Sequence, residues 1–187
     1  CKYDAMALSG AGATMEEIQA TLADQAGSGA YSHIIMAGEM FGEPVRIVAP
    51  SFPTTRFTMI DYPMIPPVQN VEAIIYRDDQ VGYLAGVVAC RVVQDAFPET
   101  ASVAVVAGLQ TTETKKRVNG FMVGCLSVCE SCEMDIMYAS TPFTVQQQLD
   151  KSPGVVFGSG TQVGHDALVA ATQQGIFAIG VDADEWE

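Results

Sequence analysis

Four short apolar runs separated by three helical stretches constrain the second half of this chain more than any other feature. Ser102–Ala107, Met134–Ala139, Gly154–Gly158 and Ile176–Val181 read as strands, and Glu113–Cys129, Thr144–Leu149 and Gln162–Gln174 as the helices between them. Short strands alternating with helices are the pattern of βαβ crossovers and a parallel sheet. Asp79–Ala96 predicts a long helix ahead of them, with Asp78 and Asp79 favourably placed at its positive end. The first half repeats the theme less completely. Thr14 and Glu17 fit a capping box for a helix ending at Gly27, and Ala5–Leu8, Ser32–Ala37, Arg46–Ala49, Phe57–Asp61 and Val71–Tyr76 are strand candidates. The expected fold class is α/β with Rossmann-like parallel sheets: a partial lobe over residues 1–77 and a complete one over 78–187.

Charge and hydropathy narrow the function classes. The 187 residues carry 9 basic and 22 acidic side chains, a net charge of −13, which repels phosphate backbones and anionic lipid. Nucleic acid is therefore not an expected partner. No apolar run reaches the ~20 residues that span a bilayer. With 49% hydrophobic and 17% charged residues the chain has the means to fold around a core.

Loops that follow parallel strands collect ligands, because helix amide ends point there. Gly158-Ser-Gly160-Thr-Gln-Val-Gly164 lies between a strand and a helix, and Asp182 follows 18 positions after Gly164. Apart from one extra residue before the third glycine, this resembles a dinucleotide fingerprint with a ribose-binding acid. A nicotinamide-dependent oxidoreductase is thus one reading. The other is a glycine turn that lets the helix approach the strand. Cys125-x3-Cys129-x2-Cys132 has the spacing of an iron–sulfur triad, but Cys125 falls inside a helix. A Cys129–Cys132 disulfide or plain thiols are the alternatives, and Cys90 reads as an inert core residue. His33 and His165 lack a paired base or nucleophile nearby in sequence, and no hydrolytic or phosphate-loop motif occurs. The residues argue for binding rather than catalysis, with no metal and no cofactor expected.

Four stretches taken together carry a resemblance: Asp78-Asp-Gln-Val-Gly-Tyr-Leu-Ala-Gly-Val-Val-Ala, Val118-Asn-Gly-Phe-Met-Val-Gly, Gly158–Ala171 and Ala178-Ile-Gly-Val-Asp-Ala-Asp. Their order and spacing resemble the basic membrane protein family of nucleoside-binding lipoproteins of ABC transporters, which have the type I periplasmic-binding fold. Ile34-Ile-Met-Ala-Gly-Glu-Met and Phe57-Thr-Met-Ile-Asp-Tyr agree in position. The resemblance implies a two-lobed binding protein, here a partial member that begins near the family's second strand. It implies that Asp182 accepts hydrogen bonds from ribose hydroxyls and that Gly158 and Gly160 let the backbone approach the sugar. Phe157 or Phe143 would stack the base, or equally pack in the core, and Asp61 would make a rim contact. A nucleoside ligand, ABC permease subunits as partners and an extracytoplasmic location follow, with lipid anchoring in the full-length protein; Cys1 could be the lipid-modified residue. A ligand-sensing regulatory domain shares this fold and is the third reading.

Overall fold

The computed structural model describes residues 4, 13–97, 102–138 and 142–181, without the side chains of Pro142, Phe143 and Thr161. The predicted run Ala5–Leu8 lies outside these residues, as do Cys1 and Asp182. The chain divides after Tyr76 into two compact units.

In the first unit the elements are α1 (Met15–Gly27), β1 (His33–Ala37), α2 (Gly42–Val48), β2 (Arg56–Ile60) and β3 (Val71–Ile74). Helix α1 starts as its sequence dictates: Thr14 accepts from the Glu17 amide while the Glu17 carboxylate accepts from the Thr14 amide. Ile18, Leu22 and Ala26, four residues apart, form its buried stripe. The three strands are parallel in the order β1-β2-β3, with Ile35 opposite Thr58 and Thr58 opposite Glu72. Met36, Phe57 and Met59 point from the sheet into a core shared with α1 and α2. Arg46–Ala49, expected as a strand, is instead the end of α2 and the 3-10 turn that follows it. Val45, Val48 and Ala49 are buried there, a three- and four-residue spacing that only a helix turns to one side.

The second unit runs α3 (Asp78–Ala96), β4 (Ser102–Ala107), α4 (Thr112–Val128), β5 (Glu133–Tyr138), α5 (Pro142–Leu149), β6 (Val155–Ser159), α6 (Thr161–Gln173) and β7 (Phe177–Ile179). Its four strands are all parallel, in the order β5-β4-β6-β7. Strand β4 is covered on both faces. Val103, Val105 and Ala107 face the core built with α3 and α4, while Ala104 and Val106 face the one built with α5 and α6. Apolar residues at every position are what such a doubly covered strand requires.

Helices α3 and α4 approach until their backbones touch. A Cβ on Gly82 would lie 1.9 Å from the Arg117 carbonyl oxygen, and one on Gly120 would lie 2.1 Å from that of Asp79. Gly86 and Gly124 repeat the arrangement one turn along. The contact is clamped at one end by an ion pair, Arg117 Nε to Asp78 Oδ1 at 2.7 Å, with Asp78 only 4% exposed.

Candidate functional site

A crevice forms in a parallel sheet where neighbouring crossovers leave toward opposite faces. Here that point lies between β4 and β6, because α4 packs on one face of the sheet and α6 on the other. At the carboxyl ends of these two strands the Gly108 amide donates to the Ser159 carbonyl, 3.0 Å away. Ser159 ends β6 fully buried, and among the described residues its hydroxyl has no hydrogen-bond partner. Across from it Thr111 caps α4, its hydroxyl accepting from the Thr114 amide at 3.2 Å and lying 3.1 Å from the Thr114 hydroxyl. Gly160 connects β6 to α6 at φ 75°, a left-handed conformation that disfavours any side chain. A Cβ there would stand 3.5 Å from the Thr114 hydroxyl, so the two loops adjoin.

The switch point thus gathers three hydroxyls, that of Ser159 without exposed surface, and the amide ends of two helices, and none of these groups titrates near neutrality. Hydroxyls and helix amides are groups suited to neutral hydrogen bonding. Ser159, Thr111 and Thr114 were not visible as site residues in the sequence. The one signal was Thr111 three residues before Thr114 at the start of a helix, a capping pattern that marks a helix end and not a ligand.

The residues expected at a site separate into groups. Gly160 lies at the crevice. Gly158 does not face it: a Cβ at Gly158 would meet the Gly164 carbonyl oxygen at 2.6 Å and the Leu168 side chain at 2.9 Å. Gly158 and Gly164 therefore seat α6 on β6, and the extra residue in the loop does not prevent that close packing. Phe157 is fully buried and stacked on Phe121, ring centres 5.0 Å apart and planes 5° from parallel. This is the core alternative for Phe157, and no face of its ring is left for a base. Phe143 stands in the first turn of α5, and its side chain lies outside the described residues. Asp182 lies outside them as well; β7 ends at Ile179, three positions before it. Asp61 sits in the first unit at the carboxyl end of β2 with φ 64°, its amide donating to the Ile74 carbonyl at 2.9 Å. Nearby, the Gly38 amide donates to the Ile60 carbonyl, 3.1 Å away.

The cysteines group differently from their sequence spacing. The sulfurs of Cys90, Cys125 and Cys132 lie within 4.8 Å of one another, a group that includes Cys90 and leaves out Cys129 of the sequence triad. All four of Cys90, Cys125, Cys129 and Cys132 are free thiols, which removes the Cys129–Cys132 disulfide. Burial pushes the Cys90 thiol up to about 12 and the Cys125 thiol higher still. Cys129 instead lies 3.6 Å from the Ser131 hydroxyl, which lowers its pKa. His33 Nε2 is 2.8 Å from the Thr58 hydroxyl on the neighbouring strand.

Residues 5–186 match the family described as ABC transporter substrate-binding protein PnrA-like (Bmp). Among relatives, a CD4+ T-cell-stimulating antigen of Listeria monocytogenes is 26% identical over 173 residues, covering 84% of this chain and 46% of its own length. The ABC transporter nucleoside-binding protein BmpA of Lactococcus lactis is 25% identical over 133 residues, covering 71% of this chain and 36% of that protein. The chain therefore spans about half the length of the relatives it matches, or less. In structure it is similar to an ABC transporter system solute-binding protein from Aeropyrum pernix, with TM-score 0.77 and 22% identity over 94% of this chain and 53% of that one. A transcriptional activator of the comK gene from Bacillus halodurans follows at TM-score 0.74 and 22% identity, covering 92% of this chain and 59% of that one. At these identities the likeness establishes the fold, of the periplasmic-binding type I, which solute-binding proteins and regulators share.

Proposed function

Because this chain belongs to the Bmp family of PnrA-like ABC transporter substrate-binding proteins, we propose that it takes part in extracytoplasmic capture of a nucleoside for an ABC importer. The observation that supports the reading is the buried Ser159 hydroxyl at the switch point of the second sheet, which has no partner among the described residues. A buried hydroxyl without a partner costs about 1–3 kcal/mol, a cost that a hydroxyl-rich ligand in the crevice relieves. Ribose has the required donors and acceptors. Asp182, three positions after the end of β7 in the sequence, supplies the charge-assisted acceptor for the vicinal diol. Gly160 keeps the crevice wall free of side chain.

The family assignment favours this reading over the oxidoreductase one, and the Gly158–Gly164 loop supports the same preference. Two of its glycines are used for packing α6 against β6, and the approach to a pyrophosphate is left to Gly160 alone. Family membership likewise favours transport over a regulatory role. The permease subunits of the transporter are the expected partners, and the protein is expected to be lipid-anchored outside the cytoplasm. Among the described residues no helix is long and apolar enough to cross a membrane.

Calorimetric titration of the full-length protein with nucleosides, free bases, sugars and amino acids tests the proposal. The expected outcome is saturable binding of a nucleoside at a stoichiometry of one. Binding of an amino acid, or of a sugar without a base, with no heat from nucleosides, overturns it.

A further inference from the structure

Three thiols from three separate elements converge in the core between α3 and α4. Cys90 comes from the middle of α3, Cys125 from the last turn of α4, and Cys132 from the turn leading into β5. All three sulfurs lie within 4.8 Å of one another. Around a metal ion at about 2.3 Å, three thiolate sulfurs in a plane stand about 4.0 Å apart. The sulfur separations thus exceed that spacing by less than one ångström. Cys90 and Cys125 have no exposed surface, and Cys132 is 7% exposed.

From this convergence we infer that Cys90, Cys125 and Cys132 form a three-sulfur site for a soft, thiophilic cation of the monovalent copper class. Two features select the ion. The donors are all sulfur, which excludes hard cations that require oxygen. The described residues offer no fourth ligand within the same reach, whereas structural zinc sites close a tetrahedron with four. Cys129 lies at the rim of the cluster, its thiol 3.6 Å from the Ser131 hydroxyl and also in contact with Cys90 and Gln94. It is not one of the three mutually close donors. Each sulfur–metal bond forms as a thiol releases its proton to solvent. The site is independent of the nucleoside crevice, since none of its residues belongs to the loops after β4 and β6.

The test is anaerobic titration of the reduced protein with Cu(I) against a chromophoric chelator, together with X-ray absorption of the loaded protein. The expected result is one ion per chain with three sulfur neighbours at about 2.3 Å. Cys90→Ser, Cys125→Ser and Cys132→Ser are each expected to weaken binding by more than about 100-fold, and Cys129→Ser by less than about 3-fold. If a serine variant fails to fold, the corresponding alanine variant replaces it. The absorption spectrum of the unaltered protein decides the coordination number without any variant. Fewer than three sulfurs, mixed sulfur and oxygen neighbours, or equal dependence on Cys129 overturns the assignment. So does a preference for Zn(II) with four sulfurs.

Discussion

Among the described residues nothing accepts from or donates to the Ser159 hydroxyl, and a substitution there separates a ligand contact from a packing role. Ser159→Ala deletes an unsatisfied polar group. The unliganded protein should therefore be as stable as the parent or more so, by up to about 1–3 kcal/mol. A bound ligand loses one hydrogen bond, worth about 0.5–1.5 kcal/mol, so affinity should fall roughly 2- to 10-fold. Thermal melting with and without ligand checks both signs, and a fall in both quantities would mean that Ser159 serves packing. Asp182 is tested at the same scale by crossing Asp182→Asn with ribo- and 2′-deoxyribonucleosides. Charge-assisted hydrogen bonds are worth about 1.5–3 kcal/mol, so the substitution alone should cost about 10- to 150-fold in affinity. If Asp182 holds the ribose diol, loss of the 2′-hydroxyl costs less in the variant than in the parent, because both changes delete the same interaction. Additive losses in calorimetry would remove Asp182 from the site. Residue roles were the least legible part of the sequence. A glycine beside a strand end looks the same whether it admits a ligand, as at Gly160, or a helix, as at Gly158. Phe157 is at a strand end in sequence and in the core in space, because the side-chain direction at that register position points toward Phe121.

Where α3 crosses α4, four glycines set the distance between two helices, so the packing of the element depends on the absence of four methyl groups. The stretches Asp78–Ala89 and Val118–Gly124, which carried part of the family resemblance, are these contact surfaces and their Asp78–Arg117 clamp. Gly120→Ala would place a Cβ 2.1 Å from the Asp79 carbonyl oxygen and 2.9 Å from the Tyr83 amide nitrogen. Neither backbone atom can yield alone, so the helices must part and the core beneath them loosens. Overpacking of this kind typically costs about 1–3 kcal/mol, to which alanine's better helix propensity returns about 1 kcal/mol at most. Chemical denaturation should show a net loss at Gly120 but a small gain for Gly→Ala at an exposed, unstrained helical site; a gain at Gly120 would mean that the crossing is not tight. At this scale the sequence was most informative in the second unit. There helices and strands differ in length and period, and β4 to β6 fall within two residues of their expected bounds. It misled at Arg46–Ala49, where a run of four residues containing Ile and Val suits a strand by composition. Only the wider window, with Pro44 early in the helix and Val45, Val48 and Ala49 buried on one side, carries the helical period.

Each unit carries its own core, and the two cores are enclosed to different degrees. In the second unit β4 and β6 are buried on both faces by four helices. In the first, among the described residues, α1 and α2 cover one face of the sheet. On the other, Ile35 is 63% and Ile74 41% exposed, while Thr58 of the central strand is buried. Parallel sheets are found almost only with both faces covered, since a strand with a wet apolar side gains about half the burial per residue. The stabilities of the units should therefore be unequal, and unfolding of this 187-residue chain should depart from two-state behaviour. Hydrogen exchange is expected to proceed first through β1–β3, with β4 and β6 protected to the highest opening free energy. A fragment beginning at Arg77 should retain that protection, because neither covering layer of β4 draws on residues before it. Ile35→Lys should raise solubility while leaving exchange in β4 and β6 unchanged. A single cooperative unfolding step seen alike by fluorescence, circular dichroism and exchange would show instead that the first sheet is stabilised to the level of the second. In that case the exposed face of β1–β3 would have to be covered in solution.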